Sequence, residues 1–124
     1  MTDVAGFRKA FLAFWRGPYK ALPLHTTSII APQKGGVYSQ LTVKELNRLE
    51  AVSALGYVMA HNFRAYAVTW AYDFEGRSRH PERWAKRFGI SESTLHRLVN
   101  EFWVLLYDHC HGLAPGEESE RAWT

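Results

Sequence analysis

Residues 81–109, PERWAKRFGISESTLHRLVNEFWVLLYDH, read as two helices and the corner between them. Pro81 suits a first helical position, where the missing N–H breaks no intrahelical bond. Trp84, Ala85 and Phe88 then give that helix one apolar face. Ala85 lies one turn before the break, where a small side chain lets two helices cross closely. Gly89 follows where positive φ is wanted, Ile90 plugs the corner, and Ser91 is a good N-cap, with Glu92 in the first turn where a negative charge suits the dipole. In the second helix Leu95, Leu98, Val99, Phe102 and Leu106 recur at spacings of three and four and form the inward stripe. Ser93, His96, Arg97 and Asn100 are left on the outward face.

Two amphipathic helices joined at a glycine also occur in proteins that never touch nucleic acid. The joint occurrence of Ala85, Gly89, Ile90, Ser91, Leu95 and Leu98 is what points to a helix-turn-helix. On that reading Ser93, His96, Arg97 and Asn100 are the expected contacts to base edges. The expected phosphate contacts are Arg77, Arg79, Arg83, Lys86, Arg87 and Ser91.

Upstream, Val4, Phe7, Phe11 and Phe14 or Trp15 share one side of a predicted helix over 3–16, stopped by Gly17 and Pro18. Between Gly17 and Leu41 the prolines 18, 23 and 32 and the Gly35-Gly36 pair interrupt periodicity, so a long loop is expected, with Ser28-Ile29-Ile30 as a short extended piece and Lys20 and Lys34 able to meet phosphate. Thr42 with Glu45 forms a capping-box pattern, which predicts a helix over 43–60 with Leu46, Leu49, Val52 and Leu55 or Gly56 as its apolar positions. A buried helix over 63–74 follows, rich in alanine and aromatics, then a basic link. With 81–88 and 92–110 this makes an all-α, compact helical domain containing a helix-turn-helix, an N-terminal helix and a long Pro/Gly-containing loop. The expected divisions are 1–41 for the N-terminal helix and loop, 42–111 for the helical DNA-binding domain, and 112–124 for an acidic flexible tail. The apolar run from Phe102 to Tyr107 prolongs the last helix. It suits packing on the preceding helices or a dimer seam, and packing is favoured.

The 124 residues suffice for a core without disulfides or metal, and 47% are hydrophobic, with an unusual 15% aromatic. The net charge is +3. Its distribution says more: Arg77, Arg79, Arg83, Lys86, Arg87 and Arg97 stand against Glu82, Glu92 and Glu101, whereas the end carries Asp108, Glu117, Glu118 and Glu120 against Arg121. A basic surface attracts the phosphate backbone. The lone cysteine, Cys110, excludes an internal disulfide and agrees with a reducing cytoplasm. No secretory leader or membrane-length apolar run is present, so no membrane partner is expected.

His109-Cys110-His111 attracts attention as a metal site, but neighbouring helical residues point about 100° apart and no second cysteine completes a zinc pattern. No phosphate loop, nucleophile elbow or other catalytic motif occurs. The expectation is no enzyme activity, no cofactor and no metal.

The block Thr42–Cys110 resembles the fourth region of bacterial sigma factors and the related domains of phage late-gene antiterminators, the Q-type proteins. The resemblance rests on Leu46, Leu49 and Val52, then Arg64, Ala67, Ala71, Tyr72 and Gly76, and on WAKRFGISESTLHRLVNE. It departs from the sigma pattern before the turn, where Arg83-Trp84-Ala85 replaces Glu-Ile-Ala. The resemblance implies a DNA-binding transcription regulator in a bacterial host's cytoplasm. Such a factor binds double-stranded DNA, with RNA polymerase and sigma factor as further partners, and acts in antitermination. A dimeric repressor or activator, and a phage inhibitor that occupies a host protein without DNA, are the alternatives.

Overall fold

The computed structural model describes residues 3–29 and 39–112. The chain divides into two units, Met1–Glu50 and Ala51–Thr124, whereas the sequence suggested a division after residue 41. The class is all-α, with one small two-stranded sheet added. Among the described residues, no helix is long and apolar enough to cross a membrane. Of the expected acidic tail, 112–124, all but Gly112 lies outside the described residues, as do Ile30 and Lys34.

In the first unit, helix α1 (Val4–Arg16) is capped by Asp3, whose carboxylate accepts from the Gly6 N–H at 2.7 Å. Phe7, Phe11 and Phe14 are buried as their spacing predicts. The expected loop is a hairpin-like ribbon in which β1 (Ala21–Ile29) pairs antiparallel with β2 (Ser39–Asn47). The prolines misdirect here. A two-stranded ribbon has a free edge on each strand, where a missing N–H breaks no ladder bond, and Pro23 sits in β1 opposite Glu45. The informative pattern is alternation: Leu22 and Leu24 are buried with Pro23 exposed between them, and Leu46 is buried opposite Leu22.

The helix expected from residue 43 therefore starts later, as α2 (Arg48–His61). Thr42 and Glu45 are strand residues, and the capping box forms five residues on. The Glu50 N–H donates to Asn47 Oδ1 at 2.8 Å, and the Asn47 N–H donates to Glu50 Oε1 at 3.1 Å. The shift also changes the buried face. Ala51, Ala54, Leu55 and Val58 face inward, while Leu49, expected inward, is 82% exposed and Val52 is exposed too. Arg48 then closes α1. Its Nη2 lies 3.2, 3.1 and 2.8 Å from the carbonyl oxygens of Phe14, Trp15 and Gly17, placing a cation at the negative end of that helix. The guanidinium also lies over the Phe14 and Trp15 rings.

The second unit is built on α5 (Glu92–Cys110), against which α3 (Phe63–Thr69) and α4 (Pro81–Phe88) pack. Asn62 caps α3 by accepting from the Ala65 N–H at 3.1 Å. The predicted helix over 63–74 is α3 followed by a π-helical turn, Trp70–Glu75. Tyr72 and Asp73 are both buried within it. Tyr66, Trp70, Phe74, Phe102 and Trp103 form a chain of rings, with Trp70 and Phe74 stacked at 4.5 Å.

Helices α4 and α5 occupy the expected spans. Gly89 is left-handed at φ 68°, and the Ser91 hydroxyl accepts from the Thr94 N–H at 3.1 Å. Leu95, Leu98, Val99, Phe102 and Leu106 are buried. Trp103, Val104 and Tyr107 are buried as well and Leu105 is half-buried, so most of the prolonged end of α5 is core within one chain. Phe88, expected on the inner face, is 38% exposed, and Ala85 alone in α4 is buried. Ala85→Leu is expected to lower stability by about 1–3 kcal/mol through overpacking. An unchanged urea midpoint would show that this contact has room to spare.

Candidate nucleic-acid interface

The outward face of α5 begins at its cap. Ser93, His96, Arg97 and Asn100 follow one another at spacings of three, one and three, and all four are exposed. Two already have neighbours on the helix. Arg97 Nη1 donates to Glu101 Oε1 at 3.0 Å, and His96 Nε2 lies 3.8 Å from Glu92 Oε1. The Ser91 hydroxyl is taken up by the cap and by donation to Thr94 Oγ1 at 2.8 Å, which leaves its backbone as the part able to meet a phosphate. Of the predicted phosphate contacts, Arg83, Lys86 and Arg87 are exposed along α4, and Arg77 and Arg79 are exposed in the preceding link.

That link is unusual in its backbone. Arg77, Ser78 and His80 all have positive φ, between 54° and 59°, and none is glycine. What holds them is a buried node. Asp73, with no exposed surface, accepts from the Ser78 hydroxyl through Oδ1 and from the Trp103 indole N–H through Oδ2, each at 2.6 Å. The Tyr72 hydroxyl donates to the Ser78 carbonyl at 3.1 Å, and the Ser78 N–H donates to the Tyr72 carbonyl at 2.8 Å. These bonds tie the link to the π-helical turn and to α5, offsetting the cost of left-handed non-glycine residues. They also place the start of α4, and with it the cations that follow.

Gly76 completes the arrangement by having no side chain. A Cβ there would stand 2.6 Å from Trp84 Nε1 and 2.9 Å from the Tyr72 carbonyl oxygen, so the indole seats directly on the glycine. Arg87 lies over the Trp84 ring at 5.3 Å.

The chain matches no family model, no curated protein and no solved structure. Its functional reading therefore rests on the geometry of the second unit.

Sequence reasoning missed the Asp73 node and the seat of Trp84. A signal for the first was present: an aspartate inside the aromatic run 70–74, WAYDF, has to be partnered if that run is buried. Nothing local pointed to Trp103 as the partner. In the run 109–111, His109 stacks on Tyr57 at 4.0 Å, His111 stacks on Tyr107 at 4.0 Å, and Cys110 is buried. Among the described residues, no group of histidine, cysteine and acidic side chains is arranged to hold a metal.

Proposed function

We propose that this chain is a DNA-binding transcription regulator in which α4, the Gly89–Ser91 corner and α5 act as a helix-turn-helix. The observation that carries the reading is the division of α5. Leu95, Leu98, Val99 and Phe102 anchor one side while Ser93, His96, Arg97 and Asn100 are exposed on the other, beside an α4 that bears Arg83, Lys86 and Arg87. A capped helix with a polar outer face suits the major groove, and cations beside it suit the flanking phosphates. In this role Arg97 pairs with guanine and Asn100 with adenine, while Ser93 and His96 set register. The activity is binding, without enzyme chemistry, cofactor or metal, in a bacterial cytoplasm.

The more specific proposal is a phage-type antitermination factor that engages RNA polymerase and sigma factor. Support for a protein partner beside DNA comes from Val52 and Met59, two turns apart on α2, and Phe63 at the start of α3, all exposed apolar residues of the second unit. A repressor or activator acting as a dimer has less support, because most of the run that would form its seam is buried. An inhibitor that binds only a host protein predicts no affinity for duplex.

Fluorescence anisotropy on a random duplex at low salt tests the reading. Micromolar binding that weakens steeply with salt is expected, and no binding at low salt would overturn it. Arg97→Ala separates base contact from surface pairing. On a selected site the substitution is expected to cost about 1–3 kcal/mol, with little loss on random duplex. If Arg97 serves only its bond to Glu101, an exposed pair worth about 0.3–0.5 kcal/mol, neither affinity changes.

A further inference from the structure

Between the 76–80 link and α4 lies a concavity of about 260 Å³ lined by Gly76, Arg79, His80, Arg83, Trp84 and Arg87. We infer that it is a binding site for a phosphomonoester, the group carried by a free nucleotide or by the 5′-phosphate end of a nucleic-acid strand. The site shares Arg79, Arg83 and Arg87 with the phosphate contacts proposed for the duplex, but it requires a terminal phosphate, which duplex recognition does not.

Charge is the first argument. Three guanidiniums border one small space, and its lining contains no carboxylate. None of the three is ion-paired among the described residues, and Glu82 of α4 lies against His80 at 3.8 Å. Like charges gathered this closely repel one another unless an anion joins them. A backbone phosphodiester brings a single negative charge. A phosphomonoester brings about −1.5 to −2 at pH 7 together with three acceptor oxygens, which matches three guanidinium forks far better.

The second argument is that the walls are already fixed. Arg83 and Arg87 are one turn apart on α4 and share a face. The Arg79 N–H donates to the Gly76 carbonyl at 3.1 Å, and Ser78 beside it is bonded to buried Asp73. Trp84 is seated on Gly76, and Arg87 is held over its ring. The backbone of the site and the Trp84 and Arg87 side chains are thus held before binding, which lowers its entropic cost, and the exposed Arg79 and Arg83 side chains are ordered by the anion. The half-buried indole gives the cavity an apolar wall for the sugar esterified to the phosphate or for the base that the sugar carries.

Calorimetric titration of the full chain tests the site with four probes: AMP, adenosine, and a short single strand with either a 5′-phosphate or a 5′-hydroxyl. The phosphorylated member of each pair is expected to bind at least about tenfold more tightly. Arg83→Ala should remove roughly tenfold or more of that affinity, as should Arg79→Ala. Arg64→Ala, which removes an exposed cation of α3 outside both the lining and the proposed duplex interface, should change it less than about twofold. AMP binding as well as the phosphorylated strand identifies the free nucleotide as the source, and a marked preference for the phosphorylated strand identifies the strand end. Equal binding of the phosphorylated and unphosphorylated probes overturns the inference, as does an equal loss in Arg64→Ala and Arg83→Ala. A duplex with 5′-hydroxyl ends, run alongside, reports on duplex recognition alone.

Discussion

Asp73→Ala is expected to destabilise the protein by about 3 kcal/mol or more, since hydrogen bonds to a charged group contribute about 1.5–3 kcal/mol each and this carboxylate accepts two. The Trp103 indole N–H would remain buried without its partner, which adds a desolvation penalty. Relief of the aspartate's own burial offsets part of the loss. For a unit of this size the melting temperature should fall by roughly 12–24 °C. Asp73→Asn keeps the volume, and its oxygen can accept from the Trp103 indole while its amide donates to Ser78 Oγ, so it should lose clearly less than Asp73→Ala. Combining Asp73→Ala with Trp103→Phe gives a direct check, because the indole N–H and the carboxylate lose the same bond and the double variant should fall short of the sum. Additive losses, or a change below about 1 kcal/mol for Asp73→Ala, would mean that the node does not hold the 76–80 link.

Replacing Arg77, Arg83 and Lys86 together by alanine is expected to abolish most duplex affinity while leaving the helix content unchanged. All three side chains are exposed, so the fold has little to lose. If each neutralises one phosphate, the slope of log affinity against log salt should become shallower by about 2.7, and affinity at 0.1 M salt should fall by roughly two to three orders of magnitude. The loss should be the same on every duplex, because phosphate contacts carry no sequence information. Titrations over a range of salt concentrations measure both quantities. An unchanged slope would remove α4 and its link from the interface and leave α2's exposed Val52 and Met59, with Phe63, as the better candidates for contact with a protein partner.

The two predictions meet in the link. Asp73 touches no expected ligand, yet it orders the residues from which Arg77 and Arg79 project and after which α4 begins. Asp73→Ala should therefore weaken duplex binding beyond what residual unfolding explains, through a looser set of cations rather than through lost charge.

Helices α4 and α5 were legible in the chain because their determinants are local. The Gly89 left-handed stop, the Ser91 cap and the spacing of Leu95, Leu98, Val99 and Phe102 all act within a turn or two of themselves, and the outward position of Ser93, His96, Arg97 and Asn100 follows from that spacing. The ribbon was not legible, since Thr42 and Glu45 satisfy a helix cap as readily as a strand. Only the pairing of β2 with β1, which buries Leu22, Leu24 and Leu46, decides between them and moves the cap to Asn47 and Glu50. The Asp73 node, the seat of Trp84 on Gly76 and the closure of α1 by Arg48 likewise join residues far apart in sequence or in an irregular turn. Local periodicity shows which face of a helix turns inward. Which distant donor meets a buried carboxylate, or which guanidinium meets a helix end, depends on how the elements pack, and that part only the tertiary structure decided.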